Sequence, residues 1–218
     1  MRIDDYVTDL GRALSGPSGP KRDMVVEARD SLVDAADAYE AGGAGREEAE
    51  RLAIEEFGPV RDIAPGFQSE LTAVAGRRLG LLLFVSVPVT VVMWSVVWRF
   101  HPGSFAGYGP RADWHVFASR LLDVLQLGTG LYGGAALLAL ARGLVRPGLV
   151  TRSLGVIVWV MLPVTGVLSL VLAQTSPAGV ALFLPAVLAN LVTWAFWGMQ
   201  LYCATRCLRV SRPVRGRA

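Results

Sequence analysis

The sequence predicts an all-α protein: a small cytoplasmic helical domain of three to four helices (residues 1–76) followed by a four-helix transmembrane bundle (residues 77–218). Three observations carry this. After residue 77 the apolar residues gather into four long uncharged runs, whereas before it they recur at helical spacing with no strand alternation. Sixteen of the eighteen carboxylates also lie before residue 77, so the first segment sums to −8. The remainder holds thirteen Arg against Asp113 and Asp123 and sums to +11. A net charge of +3 and a pI near 9.2 therefore average two parts suited to different solvents and do not point to nucleic-acid binding.

In the acidic segment, Ile3, Tyr6, Val7, Leu10, Ala13 and Leu14 recur at i, i+3, i+4, i+7, i+10 and i+11, which predicts an amphipathic helix over 3–14. Ser15-Gly-Pro-Ser-Gly-Pro stops it. A second helix over about 20–41 places Val25, Ala28, Leu32, Ala35, Ala36 and Tyr39 on one face and Asp23, Glu27, Asp30, Asp34 and Asp37 on the other. Gly42-Gly43 supplies the positive φ that closes a last helical turn. A third helix starts near Gly45 with Glu47 and Glu48 against its dipole, buries Ala49, Leu52, Ala53 and Phe57, and ends at Gly58-Pro59. A short turn is expected over 60–64, with Pro65 opening the helix that runs through Phe67 and Leu71 into the first span. A core of this size gives modest stability, which a partner or a second copy would raise.

Spans are expected at about 79–98, 121–141, 153–173 and 178–205, since a hydrocarbon core about 30 Å thick needs roughly 20 apolar helical residues. The opening MRIDDYVTDL is amphipathic and acidic, unlike a signal peptide, so the first span is expected to be its own insertion signal. With the N-terminus inside, cytoplasmic flanks carry Arg77, Arg78, Arg142, Arg146, Arg152, Arg206, Arg209, Arg212, Arg215 and Arg217, against Arg99, Arg111 and Arg120 outside. This asymmetry predicts a multi-pass protein of the bacterial plasma membrane with both termini cytoplasmic. Trp94, Trp98, Phe100, Trp114, Trp159, Trp194, Trp197 and Tyr202 fall near span ends, where aromatic rings anchor at the interface.

Tyr6-Val-x-x-Leu, Glu27-Ala-Arg-Asp-Ser-Leu-x-Asp-Ala with Ala38-Tyr39, Glu47-Glu-Ala-Glu, and Glu55-Glu-Phe-Gly-Pro ahead of Pro-Gly-Phe-Gln form a recognisable set. Over about residues 1–76 it resembles the HAAS domain, also called the permease prefix domain. The resemblance implies a cytoplasmic helical signalling module fused to membrane helices, often encoded beside a PadR-like winged-helix transcriptional repressor. Four spans without a large external domain depart from the permease-fused form of that family. The low Lys content beside abundant Arg, Ala, Gly and Val is similar to that of proteins from GC-rich bacteria.

Each candidate site has a plain reading beside the functional one. The stripe Asp23, Glu27, Asp30, Asp34 and Asp37 reads first as a solvated helix face and second as a docking surface for a basic partner. Its charge opposes direct contact with nucleic acid. The tail SRPVRGRA suits topology or anionic headgroups better than DNA. Cys203 and Cys207 share a helix face and read as small packing residues before a metal or redox pair. His101, His115 and Asp113 read as residues of an external loop, with proton or metal sensing as the alternative. Among Asp123, Gln126, Asn190 and Gln200, Asn190 is the favoured source of an interhelical hydrogen bond. Gly130-x-x-x-Gly134 and Gly76-x-x-x-Gly80 permit close helix approach and leave a homodimer open, and Pro88, Pro163 and Pro185 are expected to kink their spans.

No nucleophile elbow, zincin helix or phosphate-binding glycine loop occurs, so neither enzyme activity, cofactor nor metal is expected. The leading expectation is a membrane-anchored signalling or regulatory protein whose head binds a PadR-like regulator. The alternative is an accessory or small permease subunit of an ABC-type transporter.

Overall fold

A computed structural model describes residues 1–100, 113–174 and 183–211, which form seven helices. They are α1 (Ile3–Ala13), α2 (Ser18–Ala41), α3 (Arg46–Phe57), α4 (Val60–Phe100), α5 (Asp113–Ala141), α6 (Pro147–Gln174) and α7 (Leu184–Val210). The chain divides into two compact units. One is Met1–Ala75 joined by the described end of the chain, Arg209, Val210 and Ser211; the other is Gly76–Leu208. The last turn of α7 thus adds to the same unit as the N-terminal helices.

The first unit is built on the predicted faces. Tyr6, Leu10, Leu32, Ala36, Ala49 and Leu71 are fully buried in one core, against which Val25, Ala35, Tyr39 and Phe57 pack. Alanine on the facing sides of α2 and α3 lets the two helices approach closely. Tyr6 meets Phe57 edge-on at 5.9 Å and donates its hydroxyl to the Gly58 carbonyl at 2.7 Å. Gly58 sits at φ 97°, a conformation open to glycine, and it ends α3 where the sequence placed the stop. Gln68, 8% exposed, accepts from the Ser15 amide at 2.8 Å and donates to the Ser15 carbonyl at 2.8 Å and to the Val210 carbonyl at 3.2 Å.

The expected turn over 60–64 is absent. α4 runs unbroken for 41 residues, about 60 Å at 1.5 Å per residue, and Pro65 lies inside it. Proline there removes only the bond to the Arg61 carbonyl, and both residues are exposed, so water replaces it. Pro185 is the second residue of α7 and begins a helix instead of kinking one. Pro88 and Pro163 lie within α4 and α6 as expected.

Four helices, α4 to α7, are long and apolar enough to cross a bilayer. Leu81, Phe84, Val92, Val124, Leu131, Val167, Leu170 and Leu191 all face outward. Helices of this composition in a water-soluble protein would be buried, so such an outer surface fits a multi-pass membrane protein surrounded by lipid. Inside the unit, Gly133 lies against Leu83 and the Gly80 carbonyl, Gly134 against Phe84, Gly130 against Val87, and Gly76 against Thr151 and Leu140. The two small-residue repeats are therefore engaged in packing within the chain, between α4, α5 and α6.

Candidate functional site

All five stripe residues, Asp23, Glu27, Asp30, Asp34 and Asp37, are exposed along α2, opposite the buried Ala28, Leu32 and Ala36. They do not form a uniform surface. Arg46 contacts Asp37 at 3.2 Å and also Glu40 at 2.9 Å and Glu50 at 3.4 Å, which offsets the charge at the C-terminal end of α2. Among the described residues, Asp23, Glu27, Asp30 and Asp34 have no ion-pair partner. Arg29 on the same helix is engaged with Asp4 at 3.2 Å, while Lys21 and Arg22 stand at the start of α2, directly before Asp23.

Where α2, the end of α3 and the start of α4 meet, a groove of about 260 Å³ opens beside this stripe. Met24, Ala28, Phe57 and Phe67 give it apolar and aromatic walls, and the exposed Glu27 and Glu70 add a carboxylate from each of two helices. Neither glutamate has an ion pair among the described residues. Aromatic faces beside unpaired carboxylates form a surface that a lysine or arginine side chain can fill, its stem on the rings and its head on the acids. Sequence reasoning located Glu27 but did not place Phe67 and Glu70 beside it. Both were expected in the helix opened by Pro65, and their i, i+3 spacing puts them on one face, but which helices that face meets is not written in local spacing.

Ionisation in this unit follows the same contacts. The Arg51 guanidinium holds the Glu48 carboxyl below the usual range through a hydrogen bond. Tyr39 donates to Glu56 at 2.9 Å, and that bond, with the carboxylate charge, raises its phenol. Burial raises the Tyr6 phenol. A phenol raised in the folded state stabilises fully below the unfolded value of about 10 and ceases to do so as pH rises through the folded value. The stability that these two phenols contribute should therefore be complete below about pH 10 and be lost at higher pH. In an absorbance titration at 295 nm, Tyr6→Phe and Tyr39→Phe should each remove a late-titrating component; if both components titrate like free tyrosine, these contacts are wrong.

The other candidates are placed differently from expectation. Asp113 and His115 belong to the first turn of α5 and not to a loop, because the helix begins well before the apolar run. The His115 ring packs on Trp114 at 5.7 Å, and its buried Nδ1 has no hydrogen-bond partner among the described residues. His101 and the tail residues Arg212, Arg215 and Arg217 lie outside the described residues. Cys203 is half-buried and Cys207 buried, neither in a disulfide, and no group of three potential metal ligands occurs among the described residues. Asn190 does not bridge helices: it is exposed and donates to the Ala186 carbonyl of its own helix at 3.1 Å. Gln200 does so instead, donating to Ser86 Oγ at 2.8 Å, and Trp94 Nε1 donates to Thr193 Oγ1 at 3.2 Å. Asp123 is exposed.

No family model, curated protein or solved structure matches this chain.

Proposed function

We propose that this is a membrane-anchored regulatory protein of the bacterial plasma membrane whose acidic unit lies in the cytoplasm and binds a basic protein partner. The observation that carries the reading is the row Asp23, Glu27, Asp30 and Asp34, in no ion pair among the described residues and continuous with the groove between Glu27 and Glu70. Such a field steers cationic surfaces toward it and repels phosphate backbones. The arginine asymmetry supports the cytoplasmic placement, and an even number of spans returns the chain to its starting side. The resemblance to HAAS domains favours a PadR-like regulator as the partner. Binding then restrains the regulator at the membrane until the bundle changes state.

The test is binding of the regulator encoded by the adjacent gene to the full chain in nanodiscs. Replacing Asp23, Glu27, Asp30 and Asp34 by their amides should weaken binding at least about tenfold, and 0.5 M salt should weaken the wild type similarly. Equal affinity of wild type and variant would remove the stripe as the docking surface. Co-purification of a nucleotide-binding subunit in place of a regulator would favour the transporter-accessory alternative.

A further inference from the structure

A basic segment of the same chain is moored close to the groove between Glu27 and Glu70. Val210 accepts from the Gln68 amide at 3.2 Å, and Gln68 stands on α4 between Phe67 and Glu70, which both line the groove. The end of α7 and the groove thus belong to one compact unit. Beyond Ser211 the sequence continues Arg212-Pro-Val-Arg-Gly-Arg-Ala, three cations in seven residues with no carboxylate side chain. Glu27 and Glu70 are exposed and in no ion pair among the described residues, so cations and acids that complement each other are tied to the same short stretch of α4.

Reach permits them to meet. At 100° per residue Gln68 and Glu70 point about 160° apart around α4, and half the circumference of a helix about 10–12 Å across is roughly 16–19 Å. Seven extended residues cover about 23 Å at 3.3 Å each, and Arg215 is within about 16 Å of Val210 before its long side chain is counted. At about 260 Å³ the groove is smaller than the roughly 300 Å³ or more of an ordinary organic-ligand site, which suits one or two side chains. Phe57 and Phe67 offer ring faces to a guanidinium, and Glu27 and Glu70 accept its hydrogen bonds.

We propose that residues 212–218 fold back into this groove, with Arg215 between Glu27 and Glu70, and cover it until a basic partner displaces them. The inference rests on the docking role given to the groove above and supplies its regulation. Tethering makes a weak contact sufficient. A short linker gives an effective concentration of about 1 mM, so a tail whose free peptide binds at about 0.1 mM fills the groove about nine-tenths of the time and raises a competitor's apparent dissociation constant about tenfold. Anionic headgroups are the competing destination for these arginines.

The test places the photo-cross-linker p-benzoylphenylalanine at position 216 of the full chain, Gly216→p-benzoylphenylalanine, in nanodiscs of phosphatidylcholine with phosphatidylglycerol. Irradiation should join residue 216 to Met24 or Phe67 of the same chain, mapped by mass spectrometry, and Glu27→Gln/Glu70→Gln should cut that product at least about tenfold. Products on lipid, on a second copy, or on the head but unchanged by the double variant would overturn the inference. A second measurement leaves the groove unmodified: a fluorescent peptide RPVRGRA should bind a chain ending at Ser211 about tenfold more tightly than the full chain in phosphatidylcholine nanodiscs. Equal affinity, or no binding to the shortened chain, would also overturn it. If this fails while regulator binding still depends on Asp23, Glu27, Asp30 and Asp34, only the tail is removed. If the peptide binds but the regulator binds neither chain, the partner is removed instead.

Discussion

Gly80→Leu should lower the thermal midpoint of the full chain by about 6 °C or more, whereas Gly128→Leu should leave it unchanged. Gly80 and Gly133 face each other so closely that a side-chain carbon built on Gly80 would stand 2.8 Å from the Gly133 carbonyl oxygen. That neighbour is backbone of a packed helix and cannot rotate away, so α4 and α5 must separate. Separation also draws Leu83 from Gly133 and Phe84 from Gly134. Overpacking of this kind costs about 3 kcal/mol, and a chain of this size loses about 2–4 °C per kcal/mol. Gly128 has nothing within 4 Å and provides the matched control, because leucine there meets only lipid. Size-exclusion thermal stability of the two purified variants decides the matter. If they melt together, α4 and α5 do not meet at this pair.

The second large effect should come from Gln68→Leu. One buried amide joins three backbone groups distant in sequence: the Ser15 N–H, the Ser15 carbonyl and the Val210 carbonyl. Leucine keeps the volume and removes every bond, leaving a buried carbonyl unmatched. At about 1 kcal/mol per bond, and more for an orphaned acceptor, the loss is about 3 kcal/mol. That is a large fraction of an ordinary domain stability of about 5–15 kcal/mol. Amide exchange at Ser15 should accelerate by at least about tenfold, with a matching gain in proteolysis near residues 14–17. Gln68→Glu should be as harmful at neutral pH, since a carboxylate accepts from Ser15 N–H but repels both carbonyls. Wild-type exchange at Ser15 in the leucine variant would show that the clamp contributes nothing.

Local pattern carried much of this fold. Apolar spacing placed α1 within one residue of its observed end and identified the buried face of α2, because periodicity records which side of a helix avoids water. Four uncharged runs located the membrane helices, whose ends extend past the runs since helices continue into the interface beyond the hydrocarbon core. What stayed hidden depends on partners remote along the chain. Ser86 and Gln200 are 114 positions apart, and Gln68 and Val210 are 142 apart. Asn190 looked like the bridging residue because composition alone ranks a lone Asn highly, yet its position faces outward. The stripe on α2 was legible as a charged face. Its division by Arg46, and the second carboxylate from Glu70, required knowing which helices flank it.

Because Val210 joins the same unit as Ser15 and Gln68, that unit draws on residues from both ends of the chain. Translation delivers them far apart in time. The acidic unit is translated before the four spans, but the carbonyl that completes its Gln68 clamp arrives only after the fourth span has been made. A chain that stalls or inserts with one span missing would bring Val210 to the wrong side and leave the unit unfinished. The Gln68 clamp is therefore complete only once the last membrane helix is in place.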